Sequence, residues 1–251
     1  MIHFLGAGPG APDLITVRGM RLLAAADAVV YAGSLVNPEL LSYTKPGCMH
    51  YDSAKMTLDE VLDVLLRVDR AGGMAVRLHT GDPCVYGAIR EQMDALTAAG
   101  VAYEVCPGVS SFCGAAAALK AEYTLPEVSQ SVIITRMAGR TAVPERESIR
   151  SFAAHGASMV IFLSAGMTGT LEKELMAGGY APDTPAAIVH KATWPEEKVV
   201  RCTVSTLRSA ADAAGIRNHA LITIGNFLGD KYDKSRLYDP SFTTAFRKGM
   251  V

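Results

Sequence analysis

The chain of 251 residues is 49% hydrophobic and 20% charged, enough for one large or two ordinary domains with a sizeable core. Twenty-four basic against twenty-five acidic side chains leave a net charge of −1, which excludes the broad basic surface of a nucleic-acid-tracking protein and leaves any polyanionic ligand to a local cluster. Five scattered cysteines (Cys48, Cys84, Cys106, Cys113, Cys202) lack C-x-x-C spacing, so neither a metal site nor a disulfide framework is indicated; with no apolar run near the roughly 18 residues of a membrane span and no basic N-terminal lead, the expected compartment is the cytoplasm.

In chain order, IHFL reads as a strand and VRGMRLLAAAD as a helix started by Thr16; AVVY and CMHY follow as strands. A helix is expected from Thr57 to about Ala71, because Thr57 and Glu60 have capping-box spacing, Val61, Leu62 and Leu65 share a face, and Gly72-Gly73 stops it. MAVRLH is a strand, a helix follows DPCVYG, AYEVC is a strand, and a helix follows PGVSS. This alternation predicts a mostly parallel sheet. Around residues 119–131 the polar stretch LKAEYTLPEVSQS breaks the pattern, giving a first α/β domain over 1–120, a linker over 121–130 and a second α/β domain over 131–251. The second series runs SVIIT, a helix from about Pro144 to Ala154, SMVIFLS, the helix GTLEKELMAGG, PAAIVHKA, KVVRCTV, the helix STLRSAADAAG and ALITIGNF. IVHKA and KVVRCTV, joined by TWPEE, read as a hairpin, so this sheet is expected to be mixed.

Three strand ends carry glycine. After the first strand, GAGPGAPD suggests a dinucleotide turn, yet the third glycine position is Ala11, Pro9 and Pro12 bracket it, and the helix starts only after Thr16. The acid expected after the second strand to hold a ribose is missing from AVVYAGSLV. The stretch is therefore expected to be a flexible, closely approached loop. In VRLHTGDPCVYG, Asp82-Pro83 has the grammar of a helix N-cap followed by proline, while Gly81 lets a ligand approach backbone at the carboxyl end of a strand; both roles are open to Asp82. EVCPGVSSFCGAAAALK repeats the grammar with Ser110 or Ser111 as cap and a helix of small residues.

Together, GAGPG, TGDPCVYG and PGVSS resemble the loops of the class III S-adenosylmethionine-dependent methyltransferases, the tetrapyrrole methylase superfamily. More closely, YAGSLVNPELL, YDSAKMT, HTGDPCVYGAIREQ, CPGVSSFCGAAAAL, ITRMAGRTAVPE, LSAGM and SRLYDPSF are similar to the precorrin-4/cobalt-precorrin-4 C11-methyltransferases of cobalamin biosynthesis, over nearly the whole chain. The resemblance implies two α/β domains with a ligand cleft between them, a homodimer, S-adenosylmethionine as methyl donor and a tetrapyrrole as substrate. It implies that Pro9, Gly81, Asp82, Val85, Tyr86, Ser110 and Ser111 bind the donor, joined from the second domain by Ser164, Ala165 and Ala192, and that the loop around Gly8 borders the tetrapyrrole. Met167 reads more simply as a core methionine. Where some uroporphyrinogen methylases carry an acid after the second strand, this chain has Ala32, so a side-chain base at that position is excluded.

A sulfonium-bound methyl is already activated, and its transfer to an electron-rich ring carbon needs chiefly in-line placement. No catalytic side chain is assigned. The carboxylates of such a macrocycle call for local cations, and Arg18, Lys55, His79, Arg136 and Arg140 lie in or beside the relevant loops. Other readings are methylation of a different tetrapyrrole or of a diphthamide precursor and, outside enzymes, a nucleotide-sensing module. Whether cobalt is already in the macrocycle leaves no mark on the residues.

Overall fold

The computed structural model describes residues 1–250. They form two compact units: residues 1–115 with Lys191–Glu197, and residues 116–190 with 198–250.

In the first unit, β1 (Ile2–Gly6), β2 (Ala28–Tyr31), β3 (Met49–Asp52), β4 (Ala75–His79) and β5 (Tyr103–Cys106) make an entirely parallel sheet in the order β3-β2-β4-β1-β5. Its inner strands β4 and β1 are buried throughout, as a sheet covered on both faces requires. Alternate residues go to opposite layers: Ile2, Phe4, Ala28, Val30 and Ala75 to one core, and Leu5, Val29, Val76, Leu78 and Cys106 to the other. Helix α1 (Val17–Ala25) starts where Thr16 Oγ1 accepts from Gly19 N at 3.0 Å. Helix α2 (Leu58–Arg70) has the full capping box, Glu60 N donating to Thr57 Oγ1 and Thr57 N to Glu60 Oε2, and places Val61, Val64, Leu65 and Val68 in the core.

Helix α3 (Ile89–Ala98) follows DPCVYG as expected, but Asp82 is not its cap; that is Ala88, in the left-handed conformation, and residues 82–88 form a loop. Gly87 packs on the carbonyl of Pro83 so closely that an added Cβ would lie 2.1 Å from that oxygen, so the chain folds back on itself before any helix starts. Helix α4 (Ser111–Leu119) follows β5, and the division between the units falls within it.

The second unit holds β6 (Val132–Arg136), β7 (Ser158–Phe162), β8 (Pro185–His190), β9 (Lys198–Thr203) and β10 (Ala220–Ile224), ordered β6-β7-β10-β8-β9. Only β6 and β7 are parallel, so the sheet is mixed as expected, and β8 and β9 form the antiparallel hairpin. Helices α5 (Ile149–Ala153), α6 (Thr168–Ala177) and α7 (Leu207–Ala214) contribute Ile149, Leu171, Leu175, Leu207 and Ala211 to one core with Met159, Ile161, Ile188, Ile222 and Ile224. The helix expected from Pro144 begins later, because Ser148 caps it by accepting from Ser151 N, after a single 3₁₀ turn. Residues 121–130, expected to link the domains, belong to the second unit: Ser158 Oγ donates to Tyr123 O and Ser158 N to Ser129 Oγ. The hairpin tip Lys191–Glu197 belongs to the first.

Candidate active site

Because all five strands of the first sheet are parallel, their carboxyl ends share one edge. That edge collects the loops after Gly6, Tyr31, Asp52, His79 and Cys106. Three of them meet backbone to backbone. Gly8 and Gly81 form an antiparallel bridge, Gly81 N donating to Gly8 O at 2.8 Å and Gly8 N to Gly81 O at 3.2 Å, while Ala7 N donates to His79 O at 2.7 Å. A Cβ on Gly108 would lie 2.3 Å from Gly81 O and 2.7 Å from Gly6 Cα; one on Gly6 would lie 2.6 Å from Gly108 Cα. Gly8 and Gly81 also have positive φ, which a side chain rarely tolerates. Glycine is used here for contact between loops, and α1 begins well beyond it.

Asp82 locks this arrangement. Its Oδ1 accepts from Cys84 N at 2.8 Å within its own loop, and its Oδ2 accepts from Gly108 N at 2.9 Å in the loop after β5. It is thus a tie between two loops and caps no helix. Beside it, the Cys84 thiol is pushed up by burial and by the Asp82 carboxylate, which makes it a poor nucleophile. Val85 is half-buried and Tyr86 exposed; Tyr86, like Ala88, has positive φ, the kind of backbone strain that persists only where surroundings hold it. Ser110 is buried next to half-buried Ser111, both within reach of Gly81, whose Cβ position lies 3.3 Å from Ser111 N.

The first glycine loop is pinned, which corrects the expectation of flexibility. Asn37 Nδ2 donates to Gly10 O at 3.0 Å, Trp194 Nε1 to Pro9 O at 3.2 Å, and Ala11 N to Thr193 Oγ1 at 3.0 Å. Gly10 has no room for a side chain, since a Cβ would sit 2.1 Å from the Trp194 ring. Pro9 rests on Gly114 of α4. Ala192 is buried in this first unit, against the expectation that it belongs with Ser164 and Ala165, because the tip of the hairpin leaves the second unit's contacts. Asn37, Thr193 and Trp194 were not anticipated as site residues; the signals available were the Asn-Pro turn grammar and the only tryptophan of the chain.

The proposed cations behave differently from one another. Arg18 and Lys55 are exposed at the carboxyl edge of the first sheet. His79 is buried, burial and the charge of Arg77 lower its pKa to about 3, and its Nε2 has no hydrogen-bond partner. It is neutral near pH 7 and adds no positive field. Beside Ala32, a carboxylate arrives from another strand: Asp52 Oδ1 accepts from Gly33 N at 3.1 Å and from Ala54 N at 2.9 Å.

Within the second unit, Ser164 is fully buried, its Oγ donating to Phe162 O and accepting from Met137 N, which ties the ends of β6 and β7. Ala165 is buried, and Leu163 before it is exposed with positive φ. Half-buried Met167 supports Gly139 and packs against the second unit's core. The Arg136 guanidinium is spent on the carbonyls of Met137, Thr141 and Ala142, so it shapes the 137–142 loop, and Arg140 is exposed on that loop.

The glycine loops of the first unit interlock at the edge of its parallel sheet. The model of the Tetrapyrrole (Corrin/Porphyrin) Methylases matches residues 1–208, and the chain belongs to that family. It is 49% identical over 248 residues to the cobalt-precorrin-4 C(11)-methyltransferase of Methanocaldococcus jannaschii, covering 98% of this chain and 96% of that one. A solved cobalt precorrin-4 methyltransferase superposes with a TM-score of 0.89 at 48% identity, over 91% of this chain and 96% of its own. The uroporphyrin-III C-methyl transferase of Thermus thermophilus, solved with S-adenosyl homocysteine, gives 0.76 at 29% identity, over 90% and 92%.

Proposed function

We propose that this protein transfers a methyl group from S-adenosylmethionine to carbon 11 of precorrin-4 or its cobalt form, in the making of the corrin ring. The observation that carries this reading is the three-way glycine contact of Gly6, Gly81 and Gly108, locked by Asp82, in a chain that is 49% identical to a cobalt-precorrin-4 C(11)-methyltransferase along nearly its whole length.

The residues present suit a sulfur nucleoside. Gly81 and Gly108 offer bare backbone, and buried His79 keeps an unpartnered Nε2 beneath the same loop. Pro9, Gly81, Asp82, Val85, Tyr86, Ser110, Ser111 and Ala192 would hold the donor. When bound, S-adenosylmethionine supplies a methyl already activated by its sulfonium. The chain's task is to fix that methyl in line with the ring carbon, and loops tied at Ala7, Gly8, Pro9, Gly10 and Gly108 are built for fixed placement. Arg18, Lys55 and Arg140 remain available for macrocycle carboxylates. Product mass after incubation with the donor and each macrocycle tests the reading: a gain of one methyl on precorrin-4 or cobalt-precorrin-4 is expected, and methylation of a different tetrapyrrole alone would overturn it.

The enzyme works in the cytoplasm as a homodimer in this reading. In residues 230–250, Tyr232, Leu237, Tyr238, Phe246 and Met250 are all more than half exposed, while Arg247 Nη2 donates to Leu237 O and keeps the segment folded. This exposed apolar surface is the one we assign to the contact between protomers. Sedimentation should show a dimer for the full chain and monomer for a chain stopped after Gly229.

A further inference from the structure

Arg77 on β4 is 8% exposed, and among the described residues it forms no ion pair with a carboxylate. Burial lowers its pKa to about 10, so it is charged at neutral pH. A buried cation ordinarily takes a carboxylate partner, because leaving water is costly for an unpaired charge. Here its partners are neutral: Nε donates to Gln92 Oε1 at 3.2 Å, and Nη1 to Val30 O at 3.1 Å.

Gln92, 4% exposed on α3, is the informative partner. A glutamate there would neutralise Arg77 with a charge-assisted bond. Glutamine instead keeps a donor at the other end of its amide, and Nε2 donates to Ala88 O at 3.0 Å. The guanidinium thereby fixes which way the amide points, since only its oxygen can face a donor. Ala88 is the left-handed residue that ends the loop of Asp82, Val85 and Tyr86. A single path therefore runs from a buried charge to the strained end of that loop.

We infer that Arg77 and Gln92 are positioning residues for methyl transfer: the guanidinium orients the Gln92 amide, and the amide holds Ala88 so that loop 81–88 keeps the shape that receives the donor. The inference rests on the donor-binding reading above. It explains why a neutral side chain faces the buried charge, since a carboxylate would satisfy Arg77 and repel the Ala88 carbonyl.

The decisive variant is Gln92→Glu, which separates stability from positioning. It supplies the missing counter-ion and removes the donor to Ala88. The unfolding temperature should be equal or higher, amide hydrogen exchange across residues 81–88 of the ligand-free protein should be faster, and S-adenosylhomocysteine affinity by calorimetry should fall on the order of tenfold. Exchange and affinity like those of the wild type would overturn the inference. If Gln92→Glu does not fold, Gln92→Met is read by the same two measurements, and wild-type behaviour there overturns it equally. Arg90→Ala, on the exposed face of α3 where Arg90 pairs with Asp94, should change neither. Failure of the wild type to bind S-adenosylhomocysteine would refute the donor reading, and exchange alone would then decide the relay.

Discussion

Removal of the Asp82 carboxylate is the most direct test of how the loops are held. Asp82→Ala takes away two acceptors at once, leaving Cys84 N and Gly108 N without their partners at 2.8 and 2.9 Å. A hydrogen bond to a charged group contributes about 1.5–3 kcal/mol, and partial exposure of Asp82 reduces this through solvent screening. The expected loss is about 2–3 kcal/mol, or roughly 5–10 °C in unfolding temperature for a chain of this size. Asp82→Asn keeps one carbonyl oxygen and turns its NH₂ toward the other N–H, so it should lose about half as much. Because Gly108 and Gly81 touch, the second loop moves when the tie is cut, and S-adenosylhomocysteine affinity should fall tenfold or more in Asp82→Ala. Thermal unfolding and calorimetry on both variants measure this. A lowered unfolding temperature with wild-type affinity would show that the tie stabilises the fold alone, and the reasoning would fail.

Trp194 is the chain's only tryptophan and donates to Pro9 O, so its fluorescence should change when S-adenosylhomocysteine binds, and an unresponsive signal at saturating ligand would separate the hairpin tip from the site. His79 has a folded pKa of about 3, below the unfolded value of 6.5, so the unfolded chain binds the extra proton in that window. Stability should thus fall with decreasing pH between about 6.5 and 3, by at most about 1.4 kcal/mol per pH unit from this group, and His79→Gln should flatten the slope in chemical denaturation. Methyl transfer should proceed without an essential side-chain base, so Asp52→Asn, which removes the carboxylate bound to Gly33 N beside Ala32, should leave a shallow pH–rate profile unchanged; a steep acid limb abolished by that substitution would make Asp52 the base.

The parts of the structure legible in the sequence are those that local chemistry decides. Thr16, Thr57 and Glu60 announce the starts of α1 and α2 because a cap needs only residues three apart. The alternation of apolar runs and helices was enough for a parallel sheet followed by a mixed one. Asp82 shows where such reading stops. Its cap grammar was sound as local chemistry, but Gly108 N, 26 residues away, takes one carboxylate oxygen and Gly87 folds the chain back before α3 can begin. Arg77 lay inside the strand MAVRLH with nothing to mark it as buried, and Trp194 lay in a hairpin turn with no local sign that it would meet Pro9, 185 residues away.

These long-range ties bear on how catalysis can work in a site whose central elements are backbone. A general base or nucleophile can be lost by one substitution, whereas placement here is distributed over Ala7 to His79, Gly8 to Gly81, Asp82 to Gly108, Asn37 to Gly10 and Trp194 to Pro9. Each tie crosses between loops, so the loops cannot relax independently, and single losses should couple. The glycines add a different constraint, because a Cβ at Gly6 or Gly108 must push the backbones of neighbouring loops apart rather than remove one bond. Reactions that depend on alignment gain most from such redundancy, since displacement of about 1 Å at the reacting atoms can cost a hundredfold in rate. The same logic accounts for Arg77: a buried charge is costly to keep, and its use lies in fixing one amide, which fixes one strained carbonyl, at the end of the loop proposed to hold the donor.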